Sequence, residues 1–153
     1  MKFDIQNFGS FEIKNIVLDF NGTIAKDGKI KEKIPFYLKK LSKEFKIYVI
    51  TSDTNGSAKA ELENLSVKLK ILTSSNHTKE KAKFVKELQN CFAIGNGNND
   101  SLMLKEAVIG VCVIEDEGAA SKSIINADIV TKSIYDAFEL LLNPKRITAT
   151  LRM

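Results

Sequence analysis

Short apolar runs rich in β-branched and aromatic residues recur along the chain at 16–20 (IVLDF), 47–51 (IYVIT), 69–73 (LKILT), 91–95 (CFAIG), 110–114 (GVCVI) and 128–131 (DIVT). Between them, apolar residues return at helical spacing near 32–45, 56–65, 78–89, 100–107, 118–126 and 133–142. Runs that are apolar almost throughout, rather than alternating, belong to strands buried on both faces. Such strands in alternation with amphipathic helices predict a parallel sheet with helices on both sides. Residues 2–6 and 11–15 do alternate, around Asn7-Phe8-Gly9-Ser10, and predict a small β-hairpin ahead of the sheet. No linker, repeat or low-complexity segment interrupts the pattern. One domain is therefore expected over 1–153, with the hairpin in 1–15, the core in 16–142 and a basic tail in 143–153. The tail, from Pro144-Lys145-Arg146 to Arg152, alternates basic with apolar residues and reads as an added edge strand, a subunit contact or a frayed end.

Composition fills in the setting. Hydrophobic residues make up 44% of the chain and charged residues 27%, a balance that supports a buried core. The formal charge is +4, from 23 basic against 19 acidic side chains. That excess is too dispersed to mark a nucleic-acid protein, and the lysines between Lys31 and Lys46 read as the solvated face of a helix. A mildly positive field does suit an anionic phosphate substrate. Cys91 and Cys112 lie far apart inside apolar runs, as buried reduced thiols of a cytoplasmic protein would. The start, Met1-Lys2-Phe3-Asp4, lacks signal-peptide character, and the longest apolar run, Ala107 to Ile114, falls short of a membrane span. A soluble protein is expected.

In a parallel sheet of this kind, ligands bind beyond the carboxyl ends of the strands. The residues there are distinctive. Asp19-Phe20-Asn21-Gly22-Thr23 follows the first core run, placing a carboxylate at the sheet edge beside a glycine turn. An Asp opening an Asx-turn is an equally good reading of that segment by itself. Thr51-Ser52-Asp53 ends the second run with two hydroxyls and an acid; Asp53 or Thr54 also suits a helix N-cap. Lys81 opens a lysine-rich helix and, taken alone, reads as a surface lysine. Gly95-Asn96-Gly97-Asn98-Asn99-Asp100 superficially matches the dinucleotide fingerprint, but Asp100 stands where the third glycine is needed. A loop of glycines, amides and an acid instead suits oxygen ligation of a hard cation. His77 has no second ligand at metal spacing and reads as a solvent-facing loop histidine, with contact to substrate at the rim of the site as the other reading.

In this order the residues resemble the haloacid-dehalogenase superfamily, and within it the phosphorylation domain of P-type ATPases most closely. Asp19…Gly22-Thr23 looks like their D-K-T-G-T, and Thr51-Ser52-Asp53 like their T-G-D. Lys81 through Leu88 looks like K-x-x-x-V-x-x-L, Gly95 to Asp100 like G-D-G-x-N-D, and Ala127-Asp128-Ile129-Val130 like A-D-I-V. The resemblance runs from Ile16 to about Leu142. It implies a three-layer, Rossmann-like α/β fold. The superfamily usually adds caps, but this chain has room after Asp19 only for a short flap at Ile24–Ile30, whose Asp27-Gly28 signals a tight turn, and between Thr51 and Cys91 none for a cap domain. The resemblance implies that Asp19 accepts a phosphoryl group, that Gly22, Thr51, Ser52 and Lys81 contact that group, and that Lys81 neutralises charge. Mg²⁺ would be held by Asp19, the Asn21 carbonyl and the 96–100 loop, through Asn96 and Asp100. The implied partner is a phosphorylated small molecule or macromolecule, with a second subunit as one way of covering an open site.

Two positions depart from the superfamily pattern. Its phosphatases carry an acid–base Asp two residues after the nucleophile, where this chain has Asn21. An amide cannot shuttle a proton, so phosphoryl acceptance with slow hydrolysis is expected. The first acid of the metal loop is replaced by Asn96, which ligates without adding charge. The rival reading is a catalytically degenerate module that binds a phosphorylated ligand or a protein partner. A receiver-type signalling domain does not fit, because its phosphoacceptor follows the third strand and an acidic pair follows the first.

Overall fold

A computed structural model describes residues 1–153. It opens with a hairpin of β1 (Lys2–Ile5) and β2 (Gly9–Glu12), antiparallel with Phe3 opposite Phe11. Six strands then form one sheet: β3 (Asn15–Asp19), β6 (Lys46–Thr51), β7 (Lys68–Ile71), β8 (Cys91–Gly95), β9 (Ile109–Val113) and β10 (Ile129–Thr131). Their order is β10-β9-β8-β3-β6-β7, and every pairing is parallel.

The apolar runs are continuous because the two sheet faces bury alternate residues of each strand. In β3, Ile16 and Leu18 enter one core while Val17 enters the other. In β8, Phe92 and Ile94 face the first core and Cys91 and Ala93 the second. The larger core also takes Ile34, Leu38 and Leu41 from α1 (Ile34–Leu41), which repeat at helical spacing. It is completed by α2 (Ser57–Leu62) and α6 (Ile134–Leu142). The second core is covered by α3 (His77–Leu88) and α4 (Ser101–Glu106), with α5 (Ser121–Asn126) against α4. The expected three-layer α/β architecture is therefore present, with each predicted strand and helix displaced by only a few residues. Cys91 and Cys112 are both buried and unpaired, and no helix is long and apolar enough to cross a membrane.

The tail is neither an added edge strand nor a frayed end. Residues Lys145–Leu151 form α7, which packs on α6 and on β1. Ile147 and Leu151 stand one turn apart and are both buried, so the helical face outweighs the alternation read along the segment.

Two features set the place of the chemistry. First, the chain leaves β3 toward β6 and later crosses to β8 on the opposite side, so the strand order reverses between β3 and β8. A crevice opens at such a reversal, beyond the carboxyl ends of the strands. Second, the connection after β3 is short: a flap of β4 (Ala25–Lys26) and β5 (Lys29–Ile30), then α1. Asp27 and Gly28 at its tip both have positive φ (50° and 78°), as a two-residue hairpin turn requires. Only α2, β7 and α3 separate β6 from β8, so no cap lies over the crevice.

Candidate active site

Asp19 ends β3 and is 8% exposed, with its carboxylate at the mouth of the crevice. Lys81 reaches it from the second turn of α3, where it shares the inward face with Val85 one turn on. It is the one fully buried lysine, at 1% exposure. Its Nζ donates to Asp19 Oδ1 at 2.6 Å and to Asp100 Oδ1 at 2.7 Å. Asp100 is itself held by its other oxygen, which accepts from the amides of Asn96 (3.0 Å) and Gly97 (2.9 Å). This close folding of the loop on itself needs a glycine at 95, since a Cβ there would lie 2.6 Å from Asp100 Cγ.

A lysine between two buried carboxylates has a clear electrostatic consequence. Burial pulls Lys81 down, but Asp19 and Asp100 outweigh it and hold the ammonium above its ordinary range. Burial, and then the charge of Asp100, raise the Asp19 carboxyl to about 6, with Lys81 pulling the other way. Asp19 is thus an anion at neutral pH, in a site with no spare positive charge.

The remaining residues named from the sequence gather around this bridge. Asp19, Asn21, Thr51, Ser52, His77, Lys81 and Asn96 all line one cavity of about 210 Å³. Thr51, at the end of β6, is 8% exposed, and its hydroxyl oxygen accepts from the Asp53 amide. Asp53 caps α2, accepting from Ala58 and Lys59, as its position after the strand predicted. Asn21 turns its side-chain oxygen to the flap, where it accepts from the Gly28 amide at 2.9 Å. Gly22 (φ +81°) lies in the adjacent wall, and Asp100 sits below the cavity, turned to Lys81. His77 lines the cavity half-buried, rather than facing solvent from a loop.

Two further residues belong to the site: Thr23, quoted from the sequence only as part of its motif and given no role, and Glu117, which was not singled out. Thr23 is fully buried, with its hydroxyl 3.3 Å from Asp19 Oδ2 and 3.4 Å from Asn96 Oδ1. Glu117 enters the cavity lining from the turn after β9. Its one sequence signal was a run of three acids, Glu115-Asp116-Glu117, directly beyond an apolar strand.

The oxygen donors facing the cavity fit a hard cation. The Thr23 hydroxyl has one proton for two buried acceptors, Asp19 Oδ2 and Asn96 Oδ1, so one of these oxygens lacks a donor. A missing donor at a buried carboxylate or amide oxygen is what a bound cation makes good. Asn96 is aimed for this, because its Nδ2 is fixed on the Gly118 carbonyl at 3.0 Å, leaving Oδ1 to face Thr23.

No protein-family model matches the chain. Two uncharacterized proteins of Methanocaldococcus jannaschii are similar in sequence. One is 63% identical over 60 residues, 39% of this chain and 64% of that protein. The other is 50% identical over 40 residues, 26% of this chain and 91% of that protein, so the two chains belong to one family. Among solved structures, a haloacid-dehalogenase-superfamily hydrolase (subfamily III A) from Legionella pneumophila superposes with a TM-score of 0.71. It is 17% identical, covering 91% of this chain and 87% of the other. The chain has the haloacid-dehalogenase fold. The same fold is seen in 3-deoxy-D-manno-octulosonate 8-phosphate phosphatase from Moraxella catarrhalis, solved with magnesium and phosphate. There the TM-score is 0.70 at 17% identity, over 92% of this chain and 94% of the enzyme. A zinc-transporting P-type ATPase matches over 79% of this chain and 20% of its own, at 21% identity and a TM-score of 0.64.

Proposed function

We propose that this protein is a haloacid-dehalogenase-type phosphohydrolase or phosphotransferase in which Asp19 accepts the phosphoryl group. The observation that carries the reading is the buried Asp19–Lys81–Asp100 bridge beneath a cavity of phosphate size at the strand-order reversal. An Asp19 oxygen forms the bond to phosphorus as the bond from phosphorus to the leaving oxygen breaks, and the electron pair departs with that oxygen. Water then attacks phosphorus and returns the carboxylate. Lys81, itself held by Asp100, orients Asp19 and keeps it ionised. Thr51 and Ser52 stand across the cavity to receive phosphoryl oxygens.

Because both charges of Asp19 and Asp100 are set against one lysine, a phosphate dianion meets net negative charge. A divalent cation would supply the missing positive charge on the equatorial oxygens. Asp19 Oδ2, Asn96 Oδ1 and the Asn21 carbonyl are the groups available to hold it. The presence of magnesium and phosphate in the Moraxella enzyme supports magnesium in this role.

Asn21 cannot give a proton to the leaving oxygen, and that service is worth roughly 10²–10⁴-fold. Acyl phosphates and anhydrides, whose leaving groups depart as stable anions, should therefore outrun alkyl esters. Release from Asp19 should be slow for the same reason. With no cap, water exclusion falls to a large substrate or a second copy of the chain. Unpaired thiols at Cys91 and Cys112 favour a cytoplasmic setting.

The test is intact-protein mass after incubation with Mg²⁺ and acetyl phosphate. A phosphoryl adduct is expected on the wild type and absent from Asp19→Asn. No adduct on either protein, with Mg²⁺ shown to bind, would leave a module that holds a phosphorylated ligand without reacting with it. Asn21 and Asn96 are what favour that second reading.

A further inference from the structure

The turn after β9 carries three consecutive acids that are treated very differently. Glu115 pairs with Lys31 at 2.7 Å and accepts the Ile134 amide. Asp116 pairs with Lys26 of the flap at 2.7 Å. The Glu115 contacts, with the Glu115–Gly118 turn bond of 2.8 Å, hold the turn. Glu117 has no ion pair and no hydrogen bond, and it is turned toward the Asp19 cavity. How it gets there depends on Gly22. A Cβ at that position would lie 2.6 Å from Glu117 Oε2, 2.7 Å from Asn96 Nδ2 and 2.8 Å from Asn96 Oδ1. The carboxylate and the amide therefore meet across the bare face of Gly22, in space that any other residue would fill.

A solvent-exposed anion with no partner in the protein, beside an amide and a buried carboxylate whose oxygens share one hydroxyl proton, is an arrangement that a cation resolves. We infer that Glu117 is a ligand of the divalent cation, supplying the negative charge that Asn96 does not. The inference rests on the cation-assisted reading of Asp19 given above. Its content is specific to this chain: the second carboxylate comes from the turn after β9 rather than from the loop after β8. Glu115 acts as a positioning residue, since its pair with Lys31 and its bond from the Ile134 amide hold the turn; the exposed Asp116–Lys26 pair adds little. The cation would then join the β3 loop, the β8 loop and the β9 turn around Gly22. A competing role for Glu117, as a proton donor in place of Asn21, would not involve cation affinity.

The experiment is a calorimetric titration of the full chain with Mg²⁺, comparing wild type, Asp19→Asn, Glu117→Gln and Asp116→Asn. Thermal unfolding in EDTA verifies that each variant is folded. Glu117→Gln should weaken Mg²⁺ binding at least tenfold, within the range that loss of a supporting group costs a metal site. Asp116→Asn removes the same charge one residue away and should stay within about twofold. If Asp19→Asn loses affinity while Glu117→Gln binds as wild type does, the inference is overturned and the reading of Asp19 survives. Wild-type protein that binds no Mg²⁺ would overturn the inference and remove magnesium from the proposed function as well.

Discussion

At the scale of single residues, the site is a place where stability is given up. Asp19 and Asp100 are both buried against one ammonium, and burial is the main reason Asp19 is held near 6 rather than 3.8. A carboxyl whose folded value is raised contributes stability at low pH that is lost as pH rises through about 6. At neutral pH the folded, metal-free protein therefore carries the cost of ionising Asp19. Asp19→Asn removes that cost and leaves Lys81 paired with Asp100. The variant should be more stable than wild type by on the order of 2–3 kcal/mol in neutral buffer with EDTA. Urea denaturation checks this, and an Asp19→Asn protein no more stable than wild type would mean that the Lys81 pair outweighs burial.

At the scale of elements, α3 has to start in the right place if Lys81 is to reach Asp19. Its start is secured twice. The Asn76 side chain accepts from the Lys79 amide at 3.1 Å, and Glu80 reaches back to the amides of Ser74 (2.8 Å) and Thr73 (3.1 Å). Those bonds, Ser74 foremost, hold the Glu80 carboxyl at about 2, well below 4.5. A lowered carboxyl contributes stability that is present above about 4.5 and lost as pH falls toward 2. The thermal midpoint of Glu80→Gln should lie below that of wild type near neutrality, and the gap should narrow as pH is lowered from about 4.5 toward 2. Parallel curves across that range would show that the Glu80 charge plays no part in the cap.

At the scale of the whole molecule, α7 closes the structure by joining its two ends. Ile147 is fully buried and Leu151 nearly so, against α6 and the N-terminal hairpin. Each such side chain is worth about 1.5–3 kcal/mol of burial. Ending the chain after Asn143 should cost about 3–6 kcal/mol of unfolding free energy in a urea titration, and it should also loosen the β1–β2 hairpin. The site, by contrast, is uncapped, and its flap is tied down by Lys26, Lys31 and the Ile30 amide bound to Glu61 at 3.0 Å. A tied flap leaves the cavity open.

Much of this was legible along the chain. Periodicity set the type and sequence of the elements, because burial on two faces leaves continuous apolar runs and burial on one leaves helical spacing. Parallel strands share one carboxyl edge, so Asp19, Thr51 and Asn96 could be placed together from their positions after strands. Lys81 falls one turn before Val85 on the inward face of α3, and that spacing was also there to be read. The strand order, the turning of Asp100 to Lys81, the helical tail and the meeting of Glu117 with Asn96 over Gly22 were decided only by the tertiary structure. Each depends on contacts between segments distant in the chain, and local propensity carries no information about which distant carboxylate will be left without a partner.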